Sequence, residues 1–170
     1  MTSYRIAADR SVLWIEGRST LHPIRVTASG LAGSIEANLA DSRLDLSSAP
    51  KAHVEIAAEQ LKPGKMLYDR EVERRLEVRN FPRITGELIS VADIDSTNHY
   101  RLRGNLSLRG VTHTIDGEVN LTVLDGGVLQ IEGEQVFDMR RFGLEPPKLL
   151  MFRVYPEVRV RGRVLAEPRA

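Results

Sequence analysis

Hydrophobic and polar positions alternate along most of this chain. The segment "YRLRGNLSLRGVTHTIDGEVNLTV" (residues 100–123) shows the period most clearly. Leu102, Gly104, Leu106 and Leu108 alternate with Arg101, Arg103, Asn105, Ser107 and Arg109; past Gly110, Ile115, Gly117, Val119, Leu121 and Val123 alternate with Thr114, Asp116, Glu118, Asn120 and Thr122. A two-residue period gives a strand with one apolar and one wetted face, so this segment predicts two strands joined at Gly110. The period recurs in "SVLWIEG" (11–17), "IRVTASG" (24–30), "GSIEANL" (33–39), "HVEIAAE" (53–59), "ITGELISV" (84–91), "GVLQIEGEQVF" (127–137) and "PEVRVRGRVL" (156–165). Turn chemistry separates the segments, as in "SSAPK", "DIDSTN" and Asp125-Gly126-Gly127. Short connections at this spacing predict an all-β antiparallel meander that closes as a barrel or stacks as a sandwich.

One segment breaks the period. "YDREVERRLEVRNFP" (68–82) is rich in helix formers, with Asp69 placed to cap and Pro82 to stop. Val72 and Leu76 share a face, and Glu71 precedes Arg75 by four residues, the favourable order for an ion pair. This predicts one short helix, about 69–79, between two strands, with a solvated charged face and the position of a lid over one barrel end. "FGLEPPKLLMFRVYP" (142–156) reads as an irregular crossing, because Pro146-Pro147 imposes extended backbone and removes two ladder donors.

The composition bounds what such a sheet is for. With 170 residues the chain has the size of a single domain, 1–170, able to bury a substantial core. It has no cysteine, which excludes disulfides and thiolate chemistry. A formal net charge of +1, and no aromatic interleaved with the Arg159, Arg161, Arg163 stripe, give no footprint for nucleic acid. The opening "MTSYRIAADRSVLW" has no basic stretch followed by a long apolar run, so the chain reads as cytoplasmic and not membrane-spanning. A transmembrane barrel would need aromatic girdles and an apolar outer band, whereas aromatics are 5% of residues.

The chemistry-bearing residues form no recognisable constellation. His22, His53, His99 and His113 have no metal-ligand spacing, and no nucleophile elbow, zinc-protease helix or phosphate loop is present. The reading is therefore of no catalytic residue, no metal and no cofactor. What remains is the apolar side. Candidates for it include Val26, Ala28, Val54, Ile56, Gly86, Leu88, Leu102, Gly104, Leu106, Gly117, Val119 and Ile131. Barrels of about eight strands either fill with side chains or hold one small ligand. The residues leave both open.

Four stretches together resemble the YceI-like family. "YRIAADRSVLWIEG" is similar to its opening strand, with Arg10-Ser11-Val12 where His-Ser-Val is usual. "DREVERRLEVRNFPRITGEL" resembles its helical insertion and strand start, through Phe81, Pro82 and Ile84. "GNLSLRGVTHTIDGEV" matches its most recognisable segment at Gly104, Leu106, Leu108, Arg109, Gly110, Val111, Thr112 and Ile115, and "FDMRRFGL" its late Phe142-Gly143. The resemblance implies an eight-stranded antiparallel lipocalin-like barrel whose elongated tunnel takes a polyisoprenoid or other amphipathic lipid, frequently as a homodimer. On that reading Trp14, Val54, Ile56, Leu88, Leu102, Leu106, Leu108, Ile115, Val119, Leu121 and Ile131 line the tunnel. Phe142, Leu149, Leu150 and Met151 sit at an end or seam, and His22, Arg109 and His113 form a rim for a polar head. The rival expectations are a ligand-free structural or interaction barrel and an enzyme acting on a lipid inside it.

Overall fold

The alternating segments become strands over Thr2–Ile6 (β1), Val12–Ser19 (β2), Pro23–Ala28 (β3) and Ala32–Ala37 (β4) in a computed structural model. Two short pieces, Leu39–Ala40 (β5) and Arg43–Leu44 (β6), pair with each other, and Lys51–Ala57 (β7) leads to the helix Met66–Leu76 (α1). Then come Arg83–Asp93 (β8), His99–Leu108 (β9), Val111–Val123 (β10), Leu129–Asp138 (β11), Lys148–Leu149 (β12) and Phe152–Pro168 (β13). The structure describes residues 1–146, 148–149 and 152–170, with backbone alone at 66, 67, 148, 149 and 152.

Eight of these strands close a ring in the order β1–β4–β7–β8–β9–β10–β11–β13, every neighbouring pair antiparallel. β13 returns to β1 through Tyr4↔Pro168, Arg5↔Glu167 and Ile6↔Ala166. The barrel is thus realised and the sandwich is not. The 17 residues of β13 exceed what β1 covers, and the rest of the same edge carries β2, from Arg163↔Val12 to Val158↔Gly17. β3 extends β2, and among the described residues its far edge pairs with no strand.

The β9–β10 connection shows how the local sequence fixes register. Arg109 and Gly110 have φ of 53° and 71°, the left-handed pair of a two-residue hairpin that follows the sheet's twist. Gly110 is also needed for space, since a Cβ there would stand 2.7 Å from the Phe81 ring. Opposite charges face each other across the outer surface: Arg83–Glu55 at 3.0 Å, Arg25–Glu16 at 3.2 Å, Arg159–Glu134 at 3.1 Å and Arg103–Asp116 at 3.4 Å. His53 meets Glu87 on this face, and that hydrogen bond raises the imidazole above its ordinary pKa. Each exposed pair is worth about 0–1 kcal/mol; their effect is to penalise a one-residue slip.

The helix starts three residues before the expected position and ends three before it. Lys65 occupies the N-cap, and Asp69, expected there, sits in the first turn and accepts from the Gly64 N–H at 2.9 Å. Glu77 ends α1 in a left-handed conformation, φ 49°, a place that glycine usually fills. β1 and the β5–β6 pair are strands that the alternation did not single out, because two to five residues carry too little period to register.

Candidate binding site in the barrel interior

Direct cross-strand partners point to the same side, so the register assigns the inner face residue by residue. On β9 and β10 it consists of the pairs Leu108↔Val111, Leu106↔His113, Gly104↔Ile115, Leu102↔Gly117 and Tyr100↔Val119. Along β10 these inner positions are less exposed than the Thr, Asp, Glu and Asn between them throughout. Yet from His113 to Val119 they are only half-buried. Solvent therefore reaches this stretch of the inner face, while Leu102, Val119 and Ile131 on the same face pack against buried residues at the end that holds the termini.

Fully buried residues form three clusters, one at each end and a third of Ile6, Ala28, Leu31 and Ile56, against which the inner residues Leu13, Ile15, Val54, Ile84 and Val164 pack. The end holding both termini is plugged by Tyr4, Ile35, Tyr100, Leu121 and Leu129, with Leu39, Leu44 and Leu46 laid over them. Tyr100 is completely buried, and its hydroxyl is satisfied: it donates to Asn98 Oδ1 and accepts from the Leu44 N–H, each at 3.0 Å. The opposite end is closed by Ala58, Leu76, Phe142 and Leu144, which bind α1 to the β9–β10 tip.

Between the plugs runs a band of glycine. Gly86, Gly104, Gly117, Gly133, Gly162 and Gly17 occupy inner positions on six successive strands of the wall, β8, β9, β10, β11, β13 and β2. They do two different things. At Gly104 and Gly133 a Cβ would press on the carbonyls of Glu87 (2.8 Å) and Glu118 (2.9 Å), so these allow neighbouring strands to approach. At Gly17 a Cβ would meet nothing within 4 Å, and at Gly117 only Gln135 Oε1, at 3.9 Å. There the missing side chain leaves room.

The structure places the expected tunnel residues as follows. Val54, Ile56, Leu88, Leu102, Leu106, Leu108, Ile115, Val119 and Ile131 all stand on the inner face. Leu121 faces inward too, but as part of the plug at the termini end, and Phe142 belongs to the opposite plug. Leu150 and Met151 lie outside the described residues, as does the side chain of Leu149. Trp14 is a correction. It pairs with Arg161 and stands on the outer face, its ring 4.7 Å from that guanidinium and 5.9 Å from that of Arg163. Leu13 and Ile15 take the inner positions beside it.

The three rim residues make separate contacts around α1 and the plug beside it. His22 lies at the β2–β3 tip, 3.3 Å from the Tyr68 hydroxyl of α1. His113 points inward, edge-on to Phe142 at 5.2 Å between ring centres. Arg109 ties elements together: it donates to Glu77 Oε2 at 2.7 Å and to the Gly143 carbonyl at 2.6 Å. That contact holds the Glu77 carboxyl below the ordinary glutamate range, with Asn80 adding to the effect. A surface recess of about 580 Å³ opens beside it, lined by Arg74, Arg75, Glu77, Arg109, Gly143, Leu144 and Glu145. Its guanidiniums are matched by carboxylates, including Arg74–Glu71 at 2.9 Å.

The residue that sequence reading passed over is Gln135. It follows Ile131 and Gly133 on the inward parity of β11 and pairs with inward Val160, yet it is exposed. The signal was present in the parity; an expectation of apolar lining hid it. Among the described residues no cluster of three or more His, Asp or Glu is gathered to hold a metal, and no helix is long and apolar enough to cross a membrane.

A family model described as YceI-like domain matches residues 4–166. Solved structures with the same fold include BcnA of Burkholderia cenocepacia, 15% identical, TM-score 0.74, covering 94% of this chain and 98% of that one. A polyisoprenoid binding domain from Saccharophagus degradans, implicated in plant cell wall breakdown, is 14% identical with TM-score 0.73 and covers 99% and 100% of the two chains. The Campylobacter jejuni YCEI protein is 13% identical with TM-score 0.64, covering 82% and 81%. No curated protein matches the chain significantly.

Proposed function

Because this chain belongs to the YceI-like family, we propose that it carries one long apolar or amphipathic lipid, a polyisoprenoid above all, inside the barrel without altering it chemically. The observation that supports this reading is the half-buried inner face of β10, from His113 to Val119, between the clusters that close the two ends. The Saccharophagus degradans domain, described as binding polyisoprenoid, shares the fold and so supports the ligand class.

Apolar walls suffice for such a guest. Each methylene removed from water contributes about 0.8 kcal/mol, so a few isoprene units inside the barrel give useful affinity with few polar contacts. Catalysis on the guest finds no support in the wall. Among the described residues the inner positions between the plugs include no Asp, Glu, Lys or Arg, so no acid–base pair converges there. The strong charge of the outer face suits water, not hydrocarbon.

Native mass spectrometry of protein purified from cells, followed by lipid extraction, tests the proposal. The expected result is a released guest of isoprenoid mass, with subunit number read from the same spectrum and a homodimer as the expected state. Protein that emerges empty and takes up no C20–C40 prenyl alcohol on incubation overturns the carrier reading.

A further inference from the structure

A formal net charge of +1 conceals an uneven distribution over the two ends of the barrel. The turns at the end holding the termini, 38–50, 94–98 and 124–128, carry Asp41, Asp45, Asp95 and Asp125. Their only cation, Arg43, is taken by Asp93 at 2.6 Å. At the end closed by α1 the imbalance reverses. Arg18, Lys65, Arg70 and Arg153 are exposed there, and among the described residues none of them has a carboxylate partner. The carboxylates of that end not held by an ion pair, Glu59, Asp69 and Glu157, lie in the field of Lys62 and Arg140 instead.

These cations gather around Leu21, which at 67% is the most exposed large apolar side chain of the described residues. It stands at the β2–β3 tip, and the tip is held firmly. The Ser19 hydroxyl accepts from the N–H groups of Leu21 at 3.2 Å and His22 at 3.0 Å, and donates to the His22 carbonyl at 2.6 Å. Arg18 opposes Pro23 at the base of the tip. Thr20 donates its N–H to the Arg153 carbonyl at 2.9 Å and its hydroxyl accepts from the Arg153 N–H at 3.1 Å, which brings Arg153 alongside. The His22–Tyr68 contact brings in the start of α1, with Lys65 and Arg70. Tyr155, 42% exposed, follows Arg153 by two residues on β13. A leucine held out into water by a bonded turn, amid unmatched cations and a tyrosine, has the chemistry of a bilayer surface. The apolar group enters the acyl boundary, the cations meet anionic head groups, and the phenol sits at head-group level.

We infer that the α1 end of the barrel docks on an anionic lipid bilayer, with Leu21 inserted and Arg18, Lys65, Arg70 and Arg153 against the lipid phosphates. A protein partner fits the tip less well. The other large exposed aliphatic groups, Ile89, Ile94 and Val136, lie on β8, the β8–β9 turn and β11, so the apolar area around Leu21 is small for a stable protein interface. A bilayer needs only one inserted side chain supported by charge. The docking goes beyond the carrier reading and does not depend on it. Taken with that reading, it sets the plug of Ala58, Leu76, Phe142 and Leu144 beside the surface that supplies the lipid.

Flotation of the full chain with lipid vesicles tests the inference. Vesicles of phosphatidylcholine with about one third phosphatidylglycerol carry the protein upward at low salt, pure phosphatidylcholine leaves it behind, and about 0.5 M sodium chloride lowers the bound fraction severalfold. Leu21→Ser lowers the partition coefficient about fivefold to tenfold, and Arg18→Gln combined with Lys65→Gln about tenfold or more, in proteins whose melting curves match the unaltered one. Lys51→Gln, on β7 at the other end, leaves binding unchanged. No binding to the anionic vesicles at low salt, equal binding to the neutral ones, or a loss from Lys51→Gln as large as that from the paired changes overturns the docking face. A dimer, weighed by light scattering, that Leu21→Ser splits also overturns it and assigns the tip to a second copy. None of these outcomes bears on the extracted guest, which reads the carrier function by itself.

Discussion

The guanidinium of Arg161 lies 4.7 Å from the centre of the Trp14 ring, on the outside of the wall. Such a contact contributes about 0.5–1 kcal/mol at an exposed site, and it removes Trp14 from the interior. Trp14 is the single tryptophan of the chain. Its emission is therefore expected to stay constant when a lipid is loaded, and to shift when Arg161→Ala uncovers the ring. A tryptophan installed on the inner face by Leu102→Trp is expected to respond to the same lipid. A loading-dependent change in Trp14 itself would contradict the assigned orientation of β2.

The inner glycines are expected to divide under substitution. Gly117→Leu places its side chain in open space, so the protein should melt near the unaltered temperature while lipid uptake falls about tenfold or more, as several methylenes of guest are displaced. Gly104→Ala forces a Cβ against the Glu87 carbonyl, 2.8 Å away, and overpacking of this kind costs about 1–3 kcal/mol. Thermal melting alongside lipid uptake separates the two. Equal destabilisation by both would show that the space beside Gly117 is not free.

Arg109 and Glu77 close the helix end across 2.7 Å. The pairing lowers the Glu77 pKa below its ordinary value of 4.5, so the folded state binds its proton less readily than the unfolded chain. The stability this contributes is fully present above that ordinary value and is lost as pH falls through the depressed one. Glu77→Gln is expected to melt below the unaltered protein at neutral pH, with the gap constant down to about pH 5 and closing as the solution is acidified further. A gap that stays constant through the acid range as well would assign the role of Glu77 to its backbone conformation instead.

How much of this was legible beforehand follows from the period itself. β9 and β10 alternate cleanly, and every inner residue expected of them points inward. β2 does not alternate: Val12, Leu13, Trp14 and Ile15 are apolar in sequence, so both faces qualified and the largest side chain was taken for the inner one. A tryptophan under two arginines is covered from outside, and that cover comes from β13, about 150 residues away. The contacts of the rim residues were hidden for a similar reason. Arg109 was rightly placed at a tip, but the hairpin turns its guanidinium outward to Glu77 and Gly143, contacts set by tertiary packing. Gln135 was lost to the opposite error, since parity marked it and polarity argued it away.

The glycine band has a consequence for the protein without its guest. A vacancy edged by long side chains can be closed by rotating them, and an empty pocket of that sort shrinks. Where Gly17 and Gly117 bound the space, the boundary is main chain locked in ladders, and peptide cannot swivel to fill it. At these two positions side-chain rotation cannot fill the space, so a guest of the proposed kind would find it already formed there.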